Sequence, residues 1–259
     1  TQPEKTTPIG ESPSPHAEAR RAFPAGLEQP EGSFRFSVDA LLLAAFAASR
    51  TTDVTIRFKI LEQGAALLAL PICYLNETFA KLGMDCNPEL IAAAQNNTAK
   101  LGFSDRFALH TGELADTRFL ENLRMEASPV QLVMANPPWR LVAPDAYPQQ
   151  YGPRKALFGD KGTLPLFASA ASSLLEEDGR FACIHKPGTA QDMLAALDGR
   201  AHSLLVTYIH KQKLLRPRSM LIEARKGAHA KPSVAEPIAL YGPERFFTLE
   251  SLAFCPFLR

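Results

Sequence analysis

Short runs of apolar, β-favouring residues alternate with longer helical stretches along most of this chain, and that alternation limits the fold more than any other feature. Residues 55–61, 79–84, 106–110, 130–135 and 180–185 read as strands. Between them, residues 87–101, 117–125 and 164–175 carry helical periodicity, and 190–197 follows as another helix. The spacing predicts a mostly parallel sheet covered by helices on both faces. Two further β-rich runs, 204–209 and 220–224, are separated by only ten residues, too few for a helical crossover. They are expected to form an antiparallel hairpin. The expected fold class is therefore α/β, doubly wound, with a mostly parallel seven-stranded sheet closed by that hairpin.

Local signals set several boundaries. Asn87-Pro88 pairs a capping side chain with proline at the first helical position, and Gly102 follows the helix it opens. Ser37 is expected to cap a helix through Phe46 that is apolar on nearly every side. Residues 1–33 hold six prolines among Glu, Ser and Thr. The expectation there is a disordered tail over 1–22, with Phe23 to Leu27 docking on a single domain over 23–259.

With 46% hydrophobic and 21% charged residues, the chain can bury a large core. Its net charge of +1 argues for no acidic partner as a whole, so any nucleic-acid footprint must be local. Cys73, Cys86, Cys183 and Cys255 form no C-x-x-C pair and suggest reduced, buried thiols with no metal site. The absence of a long apolar segment and of a signal pattern points to a cytoplasmic protein without membrane contact. Oligomeric state is not legible.

The chemistry is concentrated in Asn136-Pro137-Pro138-Trp139, which ends the apolar run 130–135. Two prolines remove two backbone donors. The bare carbonyls and the Asn136 side-chain oxygen are then acceptors for an NH2 group. Trp139 offers a flat face on which a nucleobase or amide can lie. Such a corner suits methylation of a planar amino or amide nitrogen.

This corner, the entry segment 34–46, the Gly112-Glu113 step and the ending 218–227 together resemble the class I S-adenosylmethionine-dependent methyltransferases. Within them the chain is most similar to the bacterial tRNA-valine adenine-N6 methyltransferases. The resemblance implies adenosylmethionine as cofactor and RNA, in particular tRNA, as partner. It implies that Asn136 and the Pro137 carbonyl accept from the target amino group and that Trp139 stacks on the extruded base. It places Asp85 on the donor's ribose, Glu113 near its adenine, and Glu62 and Gly64 near its methionine.

One element departs from the family pattern. A Glu/Asp-x-Gly-x-Gly-x-Gly turn is expected after the first strand, because Cβ atoms there obstruct the donor. The chain reads Glu62-Gln63-Gly64-Ala65-Ala66-Leu67, keeping only the first glycine. A compensated variant turn and a lost donor site both fit this stretch. A second stretch, 210–231, holds seven Lys/Arg against the single acid Glu223. Lys211, Lys213 and Arg218, with Lys155 from the loop after the corner, are the candidate phosphate contacts. The alternatives to an RNA adenine methyltransferase are a non-catalytic relative that binds RNA or protein, and an N-methyltransferase of protein glutamine or DNA adenine.

Overall fold

A computed structural model describes residues 15–23, 25–30, 37–50, 58–61, 81–126, 129–138, 140–141, 158–159, 162–197, 203–227 and 231–258. Its centre is one mixed sheet. Strands β1 (Phe58–Leu61), β2 (Lys81–Asp85), β3 (Phe107–Thr111) and β4 (Val130–Ala135) run parallel. Two short strands, β5 (Arg140–Leu141) and β6 (Phe158–Gly159), pair separately within the stretch expected as a loop. β7 (Leu175–His185) lies parallel to β4, and β9 (Pro217–Arg225) lies antiparallel between β7 and β8 (Ser203–His210). The order β3-β2-β1-β4-β7-β9-β8 is extended by β10 (Ser233–Val234) and β11 (Ile238–Ala239), each paired with β8. The expected hairpin is present, and β9 alone runs against the other long strands. The two extra edge strands are only two residues each, too short to leave a periodic signal.

Alternation along the strands separates two cores. Leu132 and Met134 of β4, Ala182 and Ile184 of β7, and Leu221 of β9 face helix α2 (Val38–Ser49). Val133, Ala135, Phe181, Cys183 and Ile222 face the opposite layer. That layer holds α4 (Thr117–Glu126), α5 (Thr163–Leu174) and α6 (Ala190–Leu197). Helix α2 is buried from Asp39 to Ala47, as its apolar circumference requires. Cys183 and Cys255 are also buried, and desolvation pushes their thiols up, that of Cys255 to about 11.

Helix α3 (Pro88–Leu101) has the boundaries its sequence implies. Asn87 accepts from the Glu89 amide at 2.9 Å, and Gly102 closes the helix at φ 72°. Two expectations need correction. Residues 15–22, assigned to a disordered tail, form helix α1 (Pro15–Ala22), which packs on α3. Arg20 Nε donates to the Leu101 carbonyl at 2.8 Å, and its guanidinium lies over the Phe103 ring. The helix is too polar to be read from periodicity and is held by these contacts at the end of α3. Ser37 precedes α2, but its side chain makes no cap hydrogen bond. Asp178 and Gly179 lie within β7, with Asp178 at φ 62° and its amide donating to the Lys226 carbonyl at 3.1 Å.

Candidate functional site

The register brings the chemistry-bearing residues to one edge of the sheet. Ala135 pairs with Leu61 on one side and Cys183 on the other, Leu61 pairs with Met84, and Asp85 pairs with Thr111. Asn136, Asp85 and the Gly112-Glu113 step therefore lie at the carboxyl ends of neighbouring parallel strands. Strand order reverses between β1 and β4, the place where doubly wound sheets bind ligands. Asn136 follows β4 directly at that reversal. Glu62, Gly64, Trp139 and Lys155 lie outside the described residues.

Asn136 is only 8% exposed, and Pro137 and Pro138 are enclosed. Beneath it sits His185, the last residue of β7 and completely buried. Its Nε2 faces the Pro138 carbonyl at 3.3 Å, and its Nδ1 faces Thr189 Oγ1 at 2.5 Å. Burial lowers the pKa of this imidazole, opposed by the Pro138 hydrogen bond. The Pro138 carbonyl can only accept, which assigns the neutral ring with its proton on Nε2; the single Thr189 hydroxyl proton is then shared between Nδ1 and the Lys186 carbonyl, 2.7 Å from Oγ1. His185 thus ties the end of β7 to the corner after β4.

On the other side of the reversal, Asp85 is fully buried at the end of β2. Its Oδ1 accepts from the Asn87 amide at 2.8 Å, and its carbonyl accepts from the Gly112 amide at 3.0 Å. These two bonds fix the carboxylate and tie the ends of β2 and β3 together. Gly112 has no room for a side chain, since a Cβ would lie 2.4 Å from the Phe119 ring. Glu113 next to it is exposed. A fixed carboxylate at the end of β2 fits the hydroxyl donors of a ribose, and Glu113 stands one strand away.

The basic run does not form one patch. β9 starts at the edge that carries Asn136 and ends at the opposite edge, so its nine residues separate Arg218 from Arg225 and Lys226. Lys226 Nζ donates to the Ser172 and Leu175 carbonyls at the end of α5. Lys211, Lys213 and Arg216 are exposed in the connection between β8 and β9. Arg218, expected as a phosphate contact, is paired with buried Asp39 of α2, its Nη2 2.9 Å from Oδ2. Ser219 donates to the other oxygen of that carboxylate at 3.2 Å. Desolvation raises the Asp39 pKa against the opposing effects of Arg218 and Ser219.

No protein-family model matches the chain. Two tRNA1(Val) (adenine(37)-N6)-methyltransferases from strains of Porphyromonas gingivalis are 27% and 26% identical to it over 206 residues, spanning 77% of each chain. A predicted O-methyltransferase from Agrobacterium tumefaciens superposes with a TM-score of 0.68 at 19% identity, over 85% of this chain and 97% of its own. The chain has the methyltransferase fold. The hMettl16 catalytic domain, solved in complex with the MAT2A 3'UTR hairpin 1, shares that fold with a TM-score of 0.56 at 13% identity, over 87% of this chain and 83% of that one.

Two contacts of this methyltransferase fold, His185 to Pro138 and Asp39 to Arg218, were not identified from sequence. His185 ends a strand as an isolated histidine, a position that is usually only a loop boundary. Its role depends on β7 lying beside β4, which no local pattern states. Asp39 and Arg218 belong to the two segments, 34–46 and 218–227, that carry the family resemblance, and the fold joins them across 179 positions. A carboxylate inside an otherwise apolar helix was the available signal, because buried acids are rare without a partner. Among the described residues, no helix is long and apolar enough to cross a membrane, and no cluster of His, Cys, Asp and Glu could hold a metal ion.

Proposed function

We propose that this chain is an adenosylmethionine-dependent N-methyltransferase that modifies the exocyclic amino group of an adenine in RNA, in particular tRNA. One observation carries the reading: a buried Asn-Pro-Pro corner directly after β4, at the reversal of strand order in a methyltransferase sheet. The named activity of the Porphyromonas gingivalis relatives supports adenine in tRNA over protein glutamine.

In this reading Asn136 and the Pro137 carbonyl accept from the target amino group and aim its lone pair. The Pro138 carbonyl is already committed to His185, which holds the corner rigid. Trp139 stacks on the extruded adenine, offsetting part of the few kcal/mol that extrusion costs. Asp85 holds the donor's ribose, Glu113 lies by its adenine, and Glu62 and Gly64 lie by its methionine. When bound, adenosylmethionine supplies a methyl group on a cationic sulfur, and the chain's contribution is positioning and exclusion of water.

A second reading is favoured by the sequence after β1, where Gly64 alone remains of the glycine turn. In it the chain keeps the fold but binds adenosylmethionine weakly and acts as a binding module. Calorimetric titration with adenosylmethionine and adenosylhomocysteine separates the two. Low-micromolar affinity supports the enzyme. A dissociation constant above roughly 100 μM, about −5.5 kcal/mol or weaker, contradicts it.

A further inference from the structure

The connection between β8 and β9, residues 211–216, projects from the same sheet edge as Asn136. β8 runs parallel to β7 and β4, and β9 turns back beside them, with Met220 opposite both His185 and Tyr208. Strand spacing places β9 roughly 10 Å across from β4, and the three residues from Met220 back to Pro217 carry it roughly 10 Å past His185. The tip is firmly held. The amides of Leu240 and Tyr241 donate to the carbonyls of His210 and Lys211, each at 2.9 Å. Gln212 Nε2 donates to the Gly242 carbonyl at 2.9 Å, and His210 Nδ1 bonds the Leu215 carbonyl at 2.6 Å. On this fixed backbone Leu214 is 97% exposed and Leu215 48% exposed. Lys211, Lys213 and Arg216 flank them, with no acid between His210 and Arg218.

Two exposed apolar side chains on a fixed turn, flanked along the chain by three cations, match a nucleic-acid wedge better than a protein contact. Cations attract the phosphates on either side, and apolar wedges lower the cost of separating stacked bases. We propose that Leu214 and Leu215 insert between bases next to the target adenine and assist its extrusion, while Lys211, Lys213 and Arg216 hold the flanking phosphates. The inference rests on the RNA-methyltransferase reading and adds the element that opens the substrate.

The test uses the full chain and a tRNA1(Val) transcript with 2-aminopurine at the adenine for which the relatives are named. Wild type should raise 2-aminopurine fluorescence on binding as the base leaves its stack. Leu214→Ser/Leu215→Ser should abolish most of that rise and slow methylation of the unlabelled transcript at least about tenfold. Its melting temperature and adenosylmethionine affinity should not change. The same variant should act at close to the wild-type rate on a short single-stranded oligonucleotide, where no base need be unstacked. A control carrying Lys211→Glu, Lys213→Glu and Arg216→Glu should instead lose affinity and flatten the salt dependence. If wild type methylates the transcript and the double-leucine variant does so equally well, the wedge is wrong and the leucines serve a protein contact. If the variant is equally slow on both substrates, the leucines do not act by unstacking. If wild type neither binds nor methylates the transcript, the RNA reading fails first and the wedge falls with it.

Discussion

His185 Nε2 donates to the carbonyl of Pro138 at 3.3 Å, joining the ends of β7 and β4 beneath the Asn-Pro-Pro corner. Because burial lowers the pKa of the folded imidazole, the unfolded chain binds a proton there more readily below about pH 6.5. Stability from this group is present above the unfolded value and is lost as pH falls through it towards the lower folded pKa. The stability difference between wild type and His185→Gln, measured by urea unfolding from pH 5 to 7.5, should shrink as the pH is lowered and level off above about 6.5. His185→Ala leaves a buried carbonyl without its donor and should cost about 1–3 kcal/mol at neutral pH. A pH-independent difference would show that the ring does not titrate as a buried group.

Asp39 and Arg218 make a second long-range joint, between α2 and the start of β9. The carboxylate is almost completely buried while the guanidinium is 37% exposed, so the partners are not equivalent. Arg218→Ala strands a buried charge and should destabilise by about 1–3 kcal/mol. Asp39→Asn/Arg218→Ala should cost less than the sum of the single changes. Additive effects in urea unfolding would mean that the pair is not coupled.

Gly112 has its place because of Phe119. A Cβ at position 112 would lie 2.4 Å from that ring. Gly112→Ala should therefore cost about 1–3 kcal/mol as an overpacked contact. Adding Phe119→Leu should restore part of the loss, which thermal melts of the single and double variants will show.

Asn136 and Trp139 divide the chemistry between them in the proposed reaction. Asn136→Ala should reduce turnover by orders of magnitude while adenosylmethionine affinity changes little. Trp139→Ala should mainly raise the RNA dissociation constant, by about 1–3 kcal/mol of lost stacking, and Trp139→Phe should be mild. Steady-state kinetics with RNA and donor varied separately distinguishes the two effects.

The parts of the fold written in local pattern were legible. Val130–Ala135 and Ala190–Leu197 have the boundaries their apolar periodicity implies. Pro88–Leu101 is bracketed by Asn87 and Gly102, whose backbone roles follow from their side chains. The parts settled by tertiary contact were not. Helix α1 depends on Arg20 reaching Leu101 and Phe103, roughly 80 positions away. Ser37 looked like a cap but uses no side-chain bond there. The strand-end positions of Asn136 and Asp85 were readable because strand ends can be counted from periodicity. His185 was not, because its importance comes from β7 lying against β4. How the basic run divides was not legible, since sequence proximity hides that β9 carries its two halves to opposite edges.

The central claim is methyl transfer to an adenine amino group, and its most direct measurement is nucleoside analysis by mass spectrometry. The tRNA1(Val) transcript is incubated with the full chain and adenosylmethionine bearing a labelled methyl, then digested to nucleosides. The account predicts labelled N6-methyladenosine with wild type and almost none with Asn136→Ala. Label absent from every nucleoside at saturating donor, or recovered only in protein glutamine, would contradict it.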